Sequence, residues 1–431
     1  MRHIVYSIVR PWGRWGVQLW HRVGAIEGEN HLAYQGDERP ARLLFSGHQN
    51  GLADPVLACV TLGPQLHFFT RADVFRKRAA RWFLLRLNMM PIFRPIDKAE
   101  GMADRNRQTF AAAHARLEGG ATCGIFPEAG HLDERRIRRF RHGSARFIAG
   151  ALQRAPIRER GLEVLPLHLD FERYAGYRTV ARVRIGPPIS FDGIEGLEHD
   201  AGTARVELSD RMRHALVDCS VHLLDGLLYD PHLAVCRFLE GSSGSWPDED
   251  RLARAAAAMQ NDPERARADF EDALASGLGD PRTADDFAAA GRLCSGRSTH
   301  LALYLWRIPA WVIFMATTGW WPRLAFKAAE RRVKQVAFRT TFSIPLTMVA
   351  VSLTWAVLSL GAGVATGKPL AVIAALLVLR GSQQWAMPLE DAIMDWRAER
   401  RVRRHMVHPF LTEWCGTPMP AGKKQSGPTR S

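Results

Sequence analysis

The chain has 431 residues, 47% of them hydrophobic and 24% charged, and 58 Lys and Arg against 44 Asp and Glu give a formal net charge of +14. That length exceeds what one core ordinarily fills, and the composition excludes a chain that is disordered throughout. The positive balance calls for an anionic partner, but no zinc-finger spacing, aromatic RNA-binding signature or leucine heptad accompanies it. Nucleic acid is therefore set aside in favour of a phospholipid surface or a phosphorylated substrate. The cysteines (Cys59, Cys123, Cys219, Cys236, Cys294 and Cys415) are dispersed without a CxxC pair. This argues against a disulfide framework or a zinc site and fits a reducing compartment.

Residues 1–30 form no convincing signal peptide, because Arg10, Arg14 and His21 interrupt the apolar positions. With Trp12, Trp15 and Trp20 among those charges, the segment reads as amphipathic, either at a membrane interface or packed on a core. Residues 31–195 then alternate strand and helix patterns. Arg42 to Ser46 is the first strand, and it runs into the turn-like SGHQNG, which carries His48. A short helix over Asp54 to Leu62 follows, with Asp54 in its first turn. There the carboxylate either orients the imidazole as a general-base pair or simply caps the helix ahead of Pro55.

Gln65 to Thr70 is the next strand. Val74, Phe75, Ala79, Trp82, Phe83 and Leu85 keep a helical period opposite Arg76, Lys77, Arg78 and Arg81, a cationic face meeting water or anionic headgroups. The apolar MMPIF ends at Arg94, whose forked guanidinium suits a phosphate. Gly101 to Glu118 reads as a helix and Ala121 to Phe126 as a strand leading into PEAGH, with Glu128 and His131. An arginine-rich run from Arg135, which includes Arg141, precedes a helix through Leu152. Glu163 to Leu169 and Thr179 to Ile185 complete the strands. The expectation is an α/β fold with a mostly parallel central sheet flanked by helices. Strand-end loops bearing His48 with Asp54, Arg94, Glu128 and Pro166 would gather on one side of it.

Taken together, SGHQNGLAD, MPIFR, FPEAGH and VLPLHL resemble, in order and separation, the four blocks of the PlsC-like glycerolipid acyltransferase superfamily. Three positions depart from the family pattern: His48 and Asp54 are separated by five residues instead of four, Gly47 stands where Asn is usual, and Ala129 replaces the Gly of FPEG. The resemblance implies direct transfer of an acyl group from acyl-CoA or acyl carrier protein to an alcohol. His48 would act as base, with Asp54 fixing its tautomer. Arg94, Glu128 and His131 would hold a phosphorylated glycerolipid acceptor such as glycerol 3-phosphate or lysophosphatidate, and Arg141 with its neighbours the donor's phosphates or an acidic carrier. No metal or other cofactor is expected. The same chemistry on a non-phosphorylated lysolipid, or a catalytically silent membrane-binding module, are the alternatives.

Residues 196–300 read as a helical appendage without chemistry-bearing motifs. Residues 301–405 read as membrane-associated hydrophobic helices. Ile308 to Pro322 is too short to span, whereas Thr340 to Gly367 is 28 residues without a charge. Lys368-Pro369 would turn the chain into a second apolar stretch, Leu370 to Leu379, interrupted by Arg380. Basic clusters, Arg331, Arg332, Lys334 and Arg339 before and Arg397, Arg400, Arg401, Arg403 and Arg404 after, would keep both ends on the cytoplasmic side of an inner membrane, the alternative being a buried helical pair in a soluble bundle. Residues 406–431 form a polar tail.

Overall fold

The computed structural model describes residues 2–33, 39–63, 65–94, 100–128, 130, 132–406 and 408–416. His131 and Ala129 lie outside the described residues, as does residue 95 after Arg94. Two compact units are present, residues 1–222 with 325–347, and residues 223–324 with 348–431.

The first unit is built on a seven-stranded sheet. Its strands are β1 (His21–Glu27), β2 (Ala41–Ser46), β3 (Leu66–Arg71), β4 (Met90–Ile92), β5 (Thr122–Ile125), β6 (Leu162–Phe171) and β7 (Thr179–Ile185), in the order β1-β7-β6-β2-β5-β3-β4. Every neighbouring pair is parallel except β6 with β7. All six residues of β2 (ARLLFS) are buried, as befits a central parallel strand, and its one charge, Arg42, is paired with Glu163 on β6 at 2.6 Å. Leu43 and Phe45 enter the core on one face and Leu44 the core on the other, as the two-residue period requires.

The connections explain why chemistry sits beside β2. After β2 the chain crosses on the face of Leu44 through the helix Ala53–Thr61, whose Leu57, Ala58 and Val60 join that core. After β5 it crosses on the opposite face through the helix Gly143–Leu152, whose Ala145, Phe147 and Ile148 join the other core. The loops leaving the carboxyl ends of β2 and β5 therefore lead to opposite faces of the sheet from two adjacent strands, the topology at which open α/β sheets form a ligand crevice.

Several expectations need adjustment. The segment 1–30 holds a helix, Arg2–Trp20, followed by β1, so the sheet begins at His21 and not at Arg42, where the sequence suggests its first strand. Pro166 lies inside β6 opposite Phe45 and not at a strand end, so it takes no place in the loop cluster. The cationic stretch is a 3-10 turn, Ala72–Phe75, and a shorter helix, Arg78–Arg86. The helix Gly202–Cys219, read as part of an appendage, packs Leu208, Met212 and Leu216 into the sheet's core.

The second unit is helical. Asp248 and Asp262 cap the helices Glu249–Asn261 and Pro263–Ala275, each accepting a backbone amide three residues on. The helices Val336–Thr366, whose residues up to Thr347 belong to the first unit, and Pro369–Val402 are both long and apolar enough to cross a membrane, and only Gly367 and Lys368 separate them. Arg380 does not end the second: that helix runs on to Val402. Leu301–Thr317 and Trp321–Arg332 form a pair bent by 46°, a broken span or a re-entrant segment by length and composition.

Candidate active site

His48 follows β2 by two residues, and Asp54 lies in the first turn of the helix Ala53–Thr61. The turn brings the fully buried carboxylate back so that Oδ2 meets His48 Nδ1 at 2.8 Å. The same oxygen accepts the backbone amides of Gln49 at 3.0 Å and Asn50 at 2.9 Å. Capping and orientation of the imidazole are thus one arrangement: the amides satisfy donors at a helix start, and they fix the carboxylate that holds the ring. The five intervening residues are accommodated without loss of the pair.

The imidazole lies on Phe126 at 4.4 Å between ring centroids and 23° between planes, and Phe126 lies in turn on Phe68 at 5.4 Å. The His48 carbonyl accepts the Leu132 amide at 3.3 Å, which ties the loop after β2 to the one after β5. With Nδ1 given to Asp54, Nε2 is the ring nitrogen through which a proton would be taken.

Gly47 has a packing reason. A Cβ there would stand 2.9 Å from Ile137 Cδ1 and 3.5 Å from Glu128 Oε1, so any side chain would have to displace the Ile137 methyl.

Glu128 is buried beside this point. Its Oε1 accepts the Arg138 amide at 3.2 Å, and Oε2 faces Arg138 Nε and Nη2, both at 3.4 Å. Burial pushes its carboxyl above the ordinary range, while the Arg138 guanidinium, the Arg138 amide and the His48 amide pull it down. Glu128 is therefore an ion-pair partner that braces the loops.

Arg94 lies two residues beyond β4, on the same side of the sheet as the carboxyl end of β2 but three strand positions away, about 14 Å at the usual strand spacing. Asn106 holds the backbone before it: its Oδ1 accepts the Phe93 amide at 2.9 Å and its Nδ2 donates to the Phe93 carbonyl at 2.8 Å. Arg141 is exposed, and its amide donates to the Pro127 carbonyl at 3.1 Å, next to Glu128.

The arginine-rich run divides by position. Arg135 is buried with Asp170, Nε to Oδ1 at 3.0 Å, and the cross-strand partner Arg182 meets Asp170 Oδ2 at 2.9 Å. These cations hold Asp170 below the usual carboxylate range against its burial, and Arg135 is withdrawn from any donor-binding surface. Phe126, Asn106 and Arg138 take part in the site although no sequence pattern singles them out. Phe126 stands in the FPEAGH block, Arg138 is one arginine among many, and Asn106 has no local signal.

The two thiols within the sheet unit nearest the His48 loop in sequence are not placed to act as nucleophiles. Cys59 and Cys123 are buried, and burial pushes both up to about 12, far from the thiolate form at neutral pH. The arrangement supplies instead an oriented base, a stacked platform and cations at the rim, the requirements of a direct transfer to a hydroxyl.

Residues 29–169 match the model of the Acyltransferase family. Over this stretch, about a third of the chain, the sequence is similar to that family. The matched residues run from before β2 through most of β6 and contain His48, Asp54, Arg94 and Glu128. Among solved structures, the 1-acyl-sn-glycerophosphate (LPA) acyltransferase PlsC from Thermotoga maritima is similar at 18% identity, over 50% of this chain and 80% of that one, with a TM-score of 0.34. Comparison with curated proteins returns no match.

Proposed function

We propose that the chain is a membrane-bound O-acyltransferase of phospholipid synthesis that moves a fatty acyl group from acyl-CoA or acyl carrier protein to a phosphorylated glycerolipid acceptor, glycerol 3-phosphate or a lysophospholipid such as lysophosphatidate. The observation that carries this reading is the His48–Asp54 pair at 2.8 Å, with the carboxylate fixed by two amides beyond the carboxyl end of β2.

In the proposed reaction His48 Nε2 takes the acceptor's hydroxyl proton as the oxygen attacks the thioester carbonyl. Asp54 stabilises the resulting imidazolium, and that proton then leaves with the thiol of the donor. General-base help of this kind contributes on the order of 10²–10⁴-fold. Arg94 binds the acceptor's phosphate at the rim, and Arg141 meets the donor's phosphates or an acidic carrier. No metal or other cofactor enters the step. The apolar helices Val336–Thr366 and Pro369–Val402 anchor the protein in the inner membrane, with the acyltransferase domain on the cytoplasmic side, where their flanking arginines belong.

The test incubates membranes carrying the wild type or His48→Ala with radiolabelled acyl-CoA and, separately, acyl carrier protein as donor. Glycerol 3-phosphate, lysophosphatidate, other lysophospholipids and lyso-aminolipids serve as acceptors. Product from the wild type that is lost in the variant supports the reading and names the acceptor. Absence of transfer with either donor, from protein shown to be folded, refutes it.

A further inference from the structure

The uncharged run that begins at Thr340 starts within the second turn of the helix Val336–Thr366, and the side chains there pack on the His48–Asp54 loop. Thr341 Oγ1 accepts the Leu52 amide at 3.2 Å. Leu52 is the residue immediately before the helix Ala53–Thr61, where an amide has no acceptor within its own helix. A side chain 289 positions later supplies it.

Thr340 is wholly buried and donates from Oγ1 to the Tyr174 carbonyl at 2.8 Å. The Tyr174 phenol in turn donates to Gln49 Oε1 at 3.1 Å, and the Gln49 amide is one of those that fix Asp54. Between these two points lies Gly51, where a Cβ would stand 3.2 Å from the Phe338 ring and 3.4 Å from Thr341 Oγ1. The apolar helix thus reaches the catalytic loop on both sides of Gly51, by hydrogen bonds and by close packing.

We propose that Thr340 and Thr341 are positioning residues of the acyltransferase, through which the opening turns of the apolar helix hold the His48–Asp54 loop in its reactive shape. Neither hydroxyl is placed to touch the reacting atoms. Thr341 acts through Leu52, two residues before Asp54, and Thr340 through Tyr174 and Gln49. The inference rests on the acyltransferase reading above and adds to it a dependence of the chemical step on residues far outside the matched family region. Misplacement of a base by about 1 Å costs up to ~10²-fold in rate, so loss of one of these bonds should show mainly in kcat.

The experiment uses the full chain in membranes and measures kcat and both KM values with the acceptor the wild type turns over. Thr340→Val and Thr341→Val remove a hydroxyl at nearly constant shape. Each is expected to lower kcat about tenfold while leaving both KM values within about twofold. Thr341→Ser should restore the rate. Thr354→Val, which removes a different hydroxyl of the same helix, one that accepts from Trp321 Nε1, should leave it unchanged. Tyr174→Phe keeps the carbonyl that Thr340 holds and removes the phenol from Gln49, so it reads the second path even if a valine variant misfolds. Wild-type kcat in Thr340→Val, Thr341→Val and Tyr174→Phe overturns the proposal. So does an equal loss in Thr354→Val, or no rescue by serine. A wild type that transfers to no acceptor sinks the acyltransferase reading itself, whereas an active wild type with inert substitutions sinks this inference alone.

Discussion

Asp54→Asn changes almost nothing in volume and removes one charge from a fully buried oxygen that carries three hydrogen bonds. An amide oxygen in place of Oδ2 could keep the Gln49 and Asn50 donors but would not stabilise an imidazolium. Turned the other way, the amide would donate to His48 Nδ1 and force the ring proton onto Nε2, where the base is needed. Either orientation disables general-base help, so kcat should fall by about 10²–10⁴, or ~3–5 kcal/mol at 1.36 kcal/mol per decade. The assay follows release of the CoA thiol, with acyl-CoA and lysophosphatidate both saturating and a thermal melt alongside. The fold should survive, because two of the three bonds can still form. A kcat within threefold of the wild type in a folded Asp54→Asn protein would refute the catalytic pairing and leave Asp54 as a helix cap.

Gly47→Asn restores the family's usual residue but puts a Cβ 2.9 Å from Ile137 Cδ1, so stability should fall by about 1–3 kcal/mol, read as a lowered melting temperature. Adding Ile137→Val should recover part of that loss. Asn106→Ala removes both bonds to the Phe93 backbone and loosens Arg94, so steady-state kinetics should show KM for a phosphorylated acceptor rising several-fold with kcat nearly constant. His168 is buried, its Nε2 accepts the Val221 amide at 3.3 Å, and burial lowers it from 6.5 to about 4. Because its folded value is depressed, the neutral ring is the stable folded form. This contribution is complete above pH 6.5 and is lost as pH falls from 6.5 toward 4, about 3 kcal/mol in all. Unfolding measured across that window should show the loss, and a His168→Gln variant should show less of it.

The strands β2 through β7 were legible because each is a short apolar run bounded by turn residues, and the His48 and Glu128 loops were legible because they follow such runs. β1 was hidden: HRVGAIE carries charge and a glycine, and its register with β7 depends on a partner 158 residues away. The role of Pro166 was misread because a proline suggests a strand end, whereas here it sits within a central strand opposite Phe45. Charge counting shows that the arginine run is basic but not which members face inward. Burial of Arg135 is set by Asp170 on another strand, and Arg138 is taken by Glu128. The contacts of Asn106 with Phe93 and of Thr341 with Leu52 join distant parts of the chain, and no local pattern announces either.

The pairing of β1 with β7 also bears on the order in which the molecule is made. His21 lies opposite Thr179, so the first strand to leave the ribosome waits for the last strand of the sheet. At about 5–20 residues per second, the 158 residues between them take roughly 8–30 s to appear. During that interval the helix Arg2–Trp20 has no completed sheet beside it, and Ile4 and Ile8 remain exposed even afterwards. A chain stalled before residue 179 would hold His48 and Asp54 on an unfinished sheet, without the Thr340 and Thr341 contacts to their loop. Until the late strand arrives, the unpaired β1 and the helix before it are open to capture by chaperones or by the bilayer itself.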